Sequence, residues 1–166
     1  MSDLADHFRT MARYNRRANE VLYDACARLS ETELKKIRPA FFNSIHGTLN
    51  HVLLGDRIWI TRFEGRVHPS TDLDTILHED FADLRIARTE MDTRIEAFFD
   101  GITESNLDGT YRYINNQGLD VTDRARIAFP HFFNHQTHHR GQVHALLSQT
   151  DVPPPSLDLH RLINPV

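Results

Sequence analysis

The residues with the clearest capacity for chemistry lie in one short stretch, "HFFNHQTHHR", which runs from His131 to Arg140. The chain has 11 histidines, and five of them lie in this stretch or just after it, at His144. Imidazole can bind a metal ion, transfer protons near neutral pH, or form hydrogen bonds at a surface. The spacing of these residues must therefore decide among a metal site, a catalytic base, a pH sensor and a polar surface.

Helical geometry places four of the five histidines on one face. Successive helix residues are about 100° apart, so with His131 at zero, His135 lies at about 40° and His139 at about 80°. His138 lies at about −20°, whereas His144 faces away at about 220°. His135 and His139 are four residues apart, so both can bind one divalent ion without bending the helix. The residues between them are "QTH", without the glutamate of the zinc metalloprotease motif.

A catalytic metal site also needs a third protein ligand and an open position. The spacing does not identify this third ligand. The candidates are His7, His46, His51, His131 and His138. His51 lies in the apolar segment "TLNHVLLGD", and its neighbours do not turn it towards the histidine-rich stretch. Spacing alone therefore favours a hydrogen-bonded core histidine at this position. A metal-free, pH-sensitive cluster is an alternative interpretation of the whole group.

Three amphipathic segments precede the histidine-rich one. The first follows a heptad-like seam over Leu4–Leu29. The second, Ile45–Glu64, has Ser44 as its predicted N-cap and is apolar over most of its circumference. Such a helix is buried on more than one side, either at the centre of the fold or at a subunit contact. The third is predicted over Leu77–Phe99.

A change of period separates the third and fourth segments. "TYRYI" and "LDV" flank "NNQG", which predicts a short hairpin in a long connection. Thr122 or Asp123 is the predicted cap of the fourth helix, which ends near Gln149. Pro130 should kink this helix or mark its start, and the segment after residue 150 is predicted to be extended. The whole pattern predicts an all-α protein, a four-helix bundle that forms a single domain over residues 1–166.

Four other residues have one or two expected roles. Asp56 is expected to form hydrogen bonds within or between helices, or to orient a metal ligand. Trp59 and Cys26 are expected in the core. Arg140 is expected either to steer an anionic substrate or to face solvent.

Composition excludes several classes of partner. The formal net charge is −4, with acidic and basic residues intermixed, so no basic surface for nucleic acid is predicted. No apolar run approaches the roughly 20 residues that span a bilayer, and the polar N-terminus is not a signal peptide. The single cysteine allows no internal disulfide, which is typical of the reducing cytoplasm. A small-molecule substrate, rather than a nucleic acid or a membrane, is the expected partner.

The chain resembles the DinB/YfiT-like superfamily of four-helix-bundle metalloenzymes over nearly its whole length. The resemblance lies in "ARYNRRANEVLYDA", in "TLNHVLLGDRIWITRF" and above all in "HFFNHQTHHRGQVHALL". It implies that His51, His135 and His139 are the three metal ligands. It also implies an up-down-down-up bundle with a long connection before the fourth helix, and a homodimer.

The resemblance suggests a function as well, because characterised relatives include thiol-dependent S-transferases and a maleylpyruvate isomerase. We therefore expect a metal-dependent enzyme of thiol S-transferase or hydrolase type, with a low-molecular-weight thiol as cosubstrate. Three imidazoles suit zinc, nickel or iron. His131 and His138 are expected to support the ligands or to shuttle protons in catalysis. The alternative is a non-catalytic metal- or ligand-binding dimeric bundle that acts as a sensor or stress-response protein.

Overall fold

The computed structural model describes residues 4–69 and 72–164, and four long helices dominate this part of the chain. In chain order the elements are α1 (Leu4–Cys26), α2 (Glu31–Lys35), α3 (Ile45–Phe63), α4 (Phe81–Asp100), α5 (Glu104–Leu107), β1 (Thr110–Ile114), β2 (Asp120–Arg124), α6 (Ala125–Leu147) and α7 (Leu159–Ile163). Strands β1 and β2 pair antiparallel as a hairpin. The prediction of an all-α fold with a short hairpin before the last long helix is confirmed.

The directions of the long helices follow from their side-chain contacts. Helices α1 and α6 run one way, and α3 and α4 run the other way. Helices α1 and α4 are antiparallel, as the contacts Asn15–Asp92 and Asp24–Arg85 show. Helices α3 and α6 are also antiparallel, with the contacts His51–His139 and Phe63–Phe129. Helices α3 and α4 are parallel, with the contacts Asp56–Arg88 and Glu64–Arg94. The up-down-down-up order is therefore confirmed. Because α3 and α4 are parallel, α4 begins at the same end of the bundle as α3, and His78, shortly before α4, contacts Asn50 of α3.

Capping residues set the starts of α3 and α4. Ser44 caps α3 as predicted, and its hydroxyl accepts a hydrogen bond from a backbone N–H of the first turn at 2.9 Å. Helix α4 begins at Phe81 rather than near Leu77, because the Asp80 carboxylate accepts two backbone N–H groups of the first turn. Helix α1 also stops short of Leu29.

The predicted start of the histidine-bearing helix was wrong. Thr122 and Asp123 do not cap it, because both pair with β1 as members of β2. Helix α6 begins at Ala125 and continues through Pro130, so this proline does not mark the start. The last segment is not extended throughout, because it contains α7.

Helix α3 is the central element of the fold. It contacts α2, α4, α6 and β1, and most of its side chains are buried. Its apolar circumference is thus covered within one chain, and the homodimer stays a prediction. At one end of the bundle α3 joins a cluster of phenylalanine rings, made of Phe8, Phe63, Phe98, Phe99, Phe129, Phe132 and Phe133.

A buried polar network crosses the middle of the bundle at Asp56. One carboxylate oxygen accepts from Nε2 of Gln136 at 2.9 Å, and the other accepts from Arg88 at 2.6 Å. Arg88 also pairs with Asp92 at 2.9 Å. Burial raises the pKa of both carboxyl groups, and the adjacent Arg88 guanidinium opposes this effect. The prediction that Asp56 forms hydrogen bonds between helices is confirmed.

The same network extends to α1 and α6 through Arg140. This guanidinium donates to the side-chain oxygens of Asn15 and Asn19 and lies over the ring of Tyr14. Both asparagines also donate to Asp92. Two arginines and two aspartates are therefore buried together, which balances their charges within the bundle.

Cys26 belongs to the apolar core, as predicted, where burial raises the pKa of its thiol to about 12. Within the part of the chain that the structure describes, no helix is long and apolar enough to cross a membrane.

Candidate metal centre

The structure brings His51 of α3 together with His135 and His139 of α6. The Nε2 atom of His139 lies 3.1 Å from Nε2 of His51 and 3.1 Å from Nε2 of His135, and the third separation is 3.3 Å. The family resemblance had pointed to this trio, whereas apolar spacing had not turned His51 towards α6. The reason is that α3 is buried on nearly every side, so its apolar residues do not mark one inward face.

The outer nitrogens of two rings are fixed by oxygen acceptors. His51 Nδ1 donates to the backbone oxygen of Leu73 at 2.8 Å, and His139 Nδ1 donates to Oε1 of Gln142 at 2.7 Å. An oxygen acceptor requires the proton on Nδ1, which leaves a lone pair on Nε2 of the neutral ring. The lone pairs of His51 and His139 therefore face each other without a proton between them. A bound cation would stabilise this arrangement.

The cluster holds its imidazoles in the neutral form. Burial lowers the pKa of His135 to about 3 and that of His139 to about 4, and it also lowers the pKa of His51. The neighbouring rings add to the effect at His135, because a second positive charge in the group would be repelled. Neutral imidazole is the form that binds metal ions, so protons compete with a metal here only in acid.

The geometry of the cluster fits a divalent ion. Zinc–nitrogen bonds of about 2.0–2.1 Å place the nitrogens of a tetrahedral site about 3.3–3.4 Å apart. The Nε2 separations of 3.1–3.3 Å are close to that value. Three imidazoles also leave a tetrahedral ion one open position, and the same donors suit zinc, nickel and iron.

Packing on both sides limits where the rings can lie. Phe42 stacks on His51 with the ring centroids 3.8 Å apart. On the other side, a Cβ atom at Gly55 would lie only 2.8 Å from Cε1 of His135. Glycine at this position therefore lets the His135 ring approach the α3 backbone. The spacing of the histidines did not point to Gly55, although a lone glycine inside a helix is a signal of such a close approach.

The connection between α3 and α4 reaches the site because Asn50 holds it. The Oδ1 atom of Asn50 accepts from the N–H groups of Leu77 at 2.9 Å and His78 at 3.0 Å. Its Nδ2 atom also lies 3.3 Å from the His78 oxygen. These bonds tie the loop that carries the Leu73 carbonyl, the acceptor that orients His51. The sequence did not predict this role of Asn50, although the residue directly precedes His51.

His131 and His138, the predicted catalytic residues, lie at the edge of the cluster and are both exposed. The ring of His131 lies 5.1 Å from that of Trp59 and 6.2 Å from that of His135. His138 Nε2 accepts from Nε2 of Gln142 at 3.2 Å, and Gln142 in turn binds a cluster histidine. Both residues are therefore near the cluster without joining it, and their catalytic role stays a prediction.

The remaining candidates lie away from the cluster. His46 is buried and its Nε2 donates to a backbone oxygen at 2.8 Å, whereas His7 is exposed on α1. Asp56 bonds to no ring nitrogen among the described residues, so it does not orient a ligand directly. Arg140 is only 3% exposed and faces α1, so neither predicted role, steering a substrate or facing solvent, is correct.

A cavity of about 360 Å³ opens beside the cluster. Its wall includes His51, Trp59, Arg62, Tyr113, His131 and His135. Trp59 was predicted to be core, but it is only half-buried and packs on Phe63 while bordering this cavity. Arg62 and Tyr113 also border a neighbouring cavity of about 530 Å³. These volumes are those of sites for small molecules.

Comparison with known proteins agrees with the fold. The sequence model of the DinB family matches residues 1–165. No curated protein matches the chain. Among solved structures, the fold is similar to that of a DinB-like protein from Bacillus cereus ATCC 10987, with a TM-score of 0.59 and 18% sequence identity. The match covers 84% of this chain and 89% of that chain, and at this identity it shows a common fold.

Proposed function

The chain belongs to the DinB family, and we propose that it is a metal-dependent enzyme of thiol S-transferase or hydrolase type that acts on a small molecule. The observation that carries this proposal is the convergence of three neutral histidines, through Nε2 atoms 3.1–3.3 Å apart, beside a cavity. The Nδ1 protons of His51 and His139 point away from the centre of the cluster, so the Nε2 lone pairs of both rings are available to a shared cation.

We assign His51, His135 and His139 as the metal ligands. A bound zinc, nickel or iron ion would supply Lewis-acid chemistry, by lowering the pKa of a thiol or water at its open positions. The Leu73 carbonyl and the Gln142 amide keep the Nδ1 protons in place and so hold two ligand rings in the metal-binding tautomer.

Proton transfer at the edge of the site is assigned to His131 and His138. Both are exposed, so either imidazole can pass a proton between the cavity and solvent. His131 borders the cavity directly, whereas His138 reaches a ligand only through Gln142. We therefore expect the loss of His131 to lower turnover more than the loss of His138.

A thiol transferase of this design needs a thiol from outside the chain. The single cysteine, Cys26, is fully buried in the core, and burial raises the pKa of its thiol to about 12. It therefore cannot serve as the nucleophile. We propose a low-molecular-weight thiol as the cosubstrate, and we retain the homodimer and the cytoplasmic location as predictions.

Turnover with and without metal tests the proposed function. Zinc-, nickel- and iron-loaded protein would be assayed for thiol transfer from cysteine to 1-chloro-2,4-dinitrobenzene and for hydrolysis of p-nitrophenyl acetate. We expect turnover that chelation abolishes and that His139→Ala lacks. Activity that survives both treatments would contradict the proposal. Metal binding without turnover in either assay would instead favour the non-catalytic alternative.

A further inference from the structure

Arg62 differs from the other arginines around the two cavities, because no carboxylate in the described part of the chain bonds to its guanidinium. Arg66 pairs with Glu64, and Arg112 pairs with Asp120. Arg62 forms no ion pair or side-chain hydrogen bond with any residue in 4–69 or 72–164. It lies instead against two aromatic rings, with its guanidinium carbon 5.0 Å from the Trp59 ring and 4.0 Å from the Tyr113 ring.

The N–H groups of the Arg62 side chain donate to no residue in the described part of the chain, so they are available to a ligand. Aromatic rings contact the flat face of a guanidinium, and its N–H groups point outward in the plane. The nearby carboxylate of Asp123 acts on Arg62 through its charge but accepts the hydroxyl of Tyr113 at 2.5 Å. A half-buried cation of this kind is costly unless an anion binds to it.

Arg62 lies near the histidine cluster, on the wall of the same cavity. Arg62, His51 and His135 border the same cavity of about 360 Å³. A molecule in this cavity can thus reach the cluster with one end and Arg62 with the other. The fork of N–H groups on arginine matches the two oxygens of a carboxylate.

We propose that Arg62 binds a carboxylate group of the substrate, so that the enzyme acts on small organic carboxylates. This inference rests on the proposed function for its reaction, but the anion site itself exists whether or not a metal is bound. Arg62 is then a residue that determines specificity, whereas the histidines carry the chemistry.

Trp59 provides a direct measurement because it is the only tryptophan of the chain and borders the cavity. Benzoate would be titrated into full-length protein, both as purified and after chelation, with benzamide as the uncharged analogue. Tryptophan fluorescence gives the dissociation constant. Because Arg62 is the only arginine or lysine among the described residues that border this cavity, it is the cation that the carboxylate should find after chelation.

Matched variants distinguish benzoate binding at Arg62 from a general effect of removing one positive charge. We expect Arg62→Gln to weaken benzoate binding about tenfold or more, as the loss of a charge-assisted pair does. Arg62→Lys should have a smaller effect. Arg66→Gln removes the same charge beside the neighbouring cavity and should change binding less than about twofold. Circular dichroism melting would show that each variant is folded.

Three results would overturn the proposal: no saturable benzoate binding to folded wild-type protein, equal binding by Arg62→Gln, or equally tight binding of benzamide. Metal content, measured on the same samples, tests the proposed function separately. If the chain binds no metal but benzoate binding still depends on Arg62, the enzymatic proposal fails and the anion site stands.

Discussion

Replacing Gly55 with alanine should weaken metal binding without destabilising the fold. The new Cβ atom would lie 2.8 Å from Cε1 of the His135 ring, whereas ordinary contacts begin at 3.4 Å. The ring must therefore move by about 0.6 Å, the difference between these distances. Metal–ligand distances tolerate only about 0.2 Å, so His135 can no longer bind in its present position.

The expected loss of affinity is about 10–100-fold, the range seen when the residues that orient a ligand are changed. The free energy of unfolding of the metal-free protein, in contrast, should rise or stay constant. Alanine is favoured over glycine inside a helix by about 0.8–1.0 kcal/mol, and the displaced ring offsets part of this gain. Gly141→Ala is the matched control, because Gly141 also lies inside a helix, α6, and a Cβ atom there would meet no atom of the described residues within 4 Å.

Zinc affinity would be measured by competition with a chromogenic chelator, and the free energy of unfolding by urea titration of metal-free protein. We expect Gly141→Ala to bind zinc like the wild type and to be about 1 kcal/mol more stable. If Gly55→Ala binds zinc as tightly as the wild type and Gly141→Ala do, the close approach of His135 to α3 is not needed for the site, and the reasoning is refuted.

Three further predictions concern the ligands and the buried network. Gln142→Ala removes the acceptor of the His139 Nδ1 proton and should lower zinc affinity about 10–100-fold; unchanged affinity in the same competition assay would exclude this role. The pKa values of His135 and His139 are lowered by burial from 6.5 to about 3 and about 4, so their contribution to the stability of metal-free protein is complete above pH 6.5 and is lost as the pH falls through the folded values. The free energy of unfolding, measured by urea titration, should therefore fall between pH 6.5 and pH 4 by up to about 1.4 kcal/mol per pH unit for each histidine. The same slope in the double variant His135→Gln, His139→Gln would contradict this. Arg88→Met leaves Asp56 buried without its cation and should cost about 3–5 kcal/mol, whereas a loss below about 1 kcal/mol by urea unfolding would show that the pair is not needed.

The sequence predicted the long helices because their apolar spacing and caps are local signals. Ser44 caps α3 in the structure as its position indicated. The start of α6 was not predictable in this way, since Thr122 and Asp123 are good caps but also pair across the hairpin with β1. Pairing across the hairpin outweighed local capping preference at this point.

The candidate site was only partly accessible from sequence. The spacing of His135 and His139 predicts a chelating pair, since both lie on one helix. His51 could be assigned only by family resemblance, because a fully buried helix has no single inward face to mark it. Leu73 accepts the His51 hydrogen bond through its backbone carbonyl. Every residue type has this group, so the sequence could not indicate the contact. The role of Arg140 was predicted wrongly, because this arginine was expected to steer an anionic substrate or to face solvent and is instead buried in an ionic network.

The most direct test of the three-histidine metal site is the metal content of purified protein. Elemental analysis would compare the wild type with the double variant His135→Ala, His139→Ala, after expression in medium containing zinc, nickel and iron. The single variants His131→Ala and His138→Ala are the controls. We predict about one divalent ion per chain in the wild type and in both controls, and almost none in the double variant. Equal metal content in the wild type and the double variant would contradict the assignment.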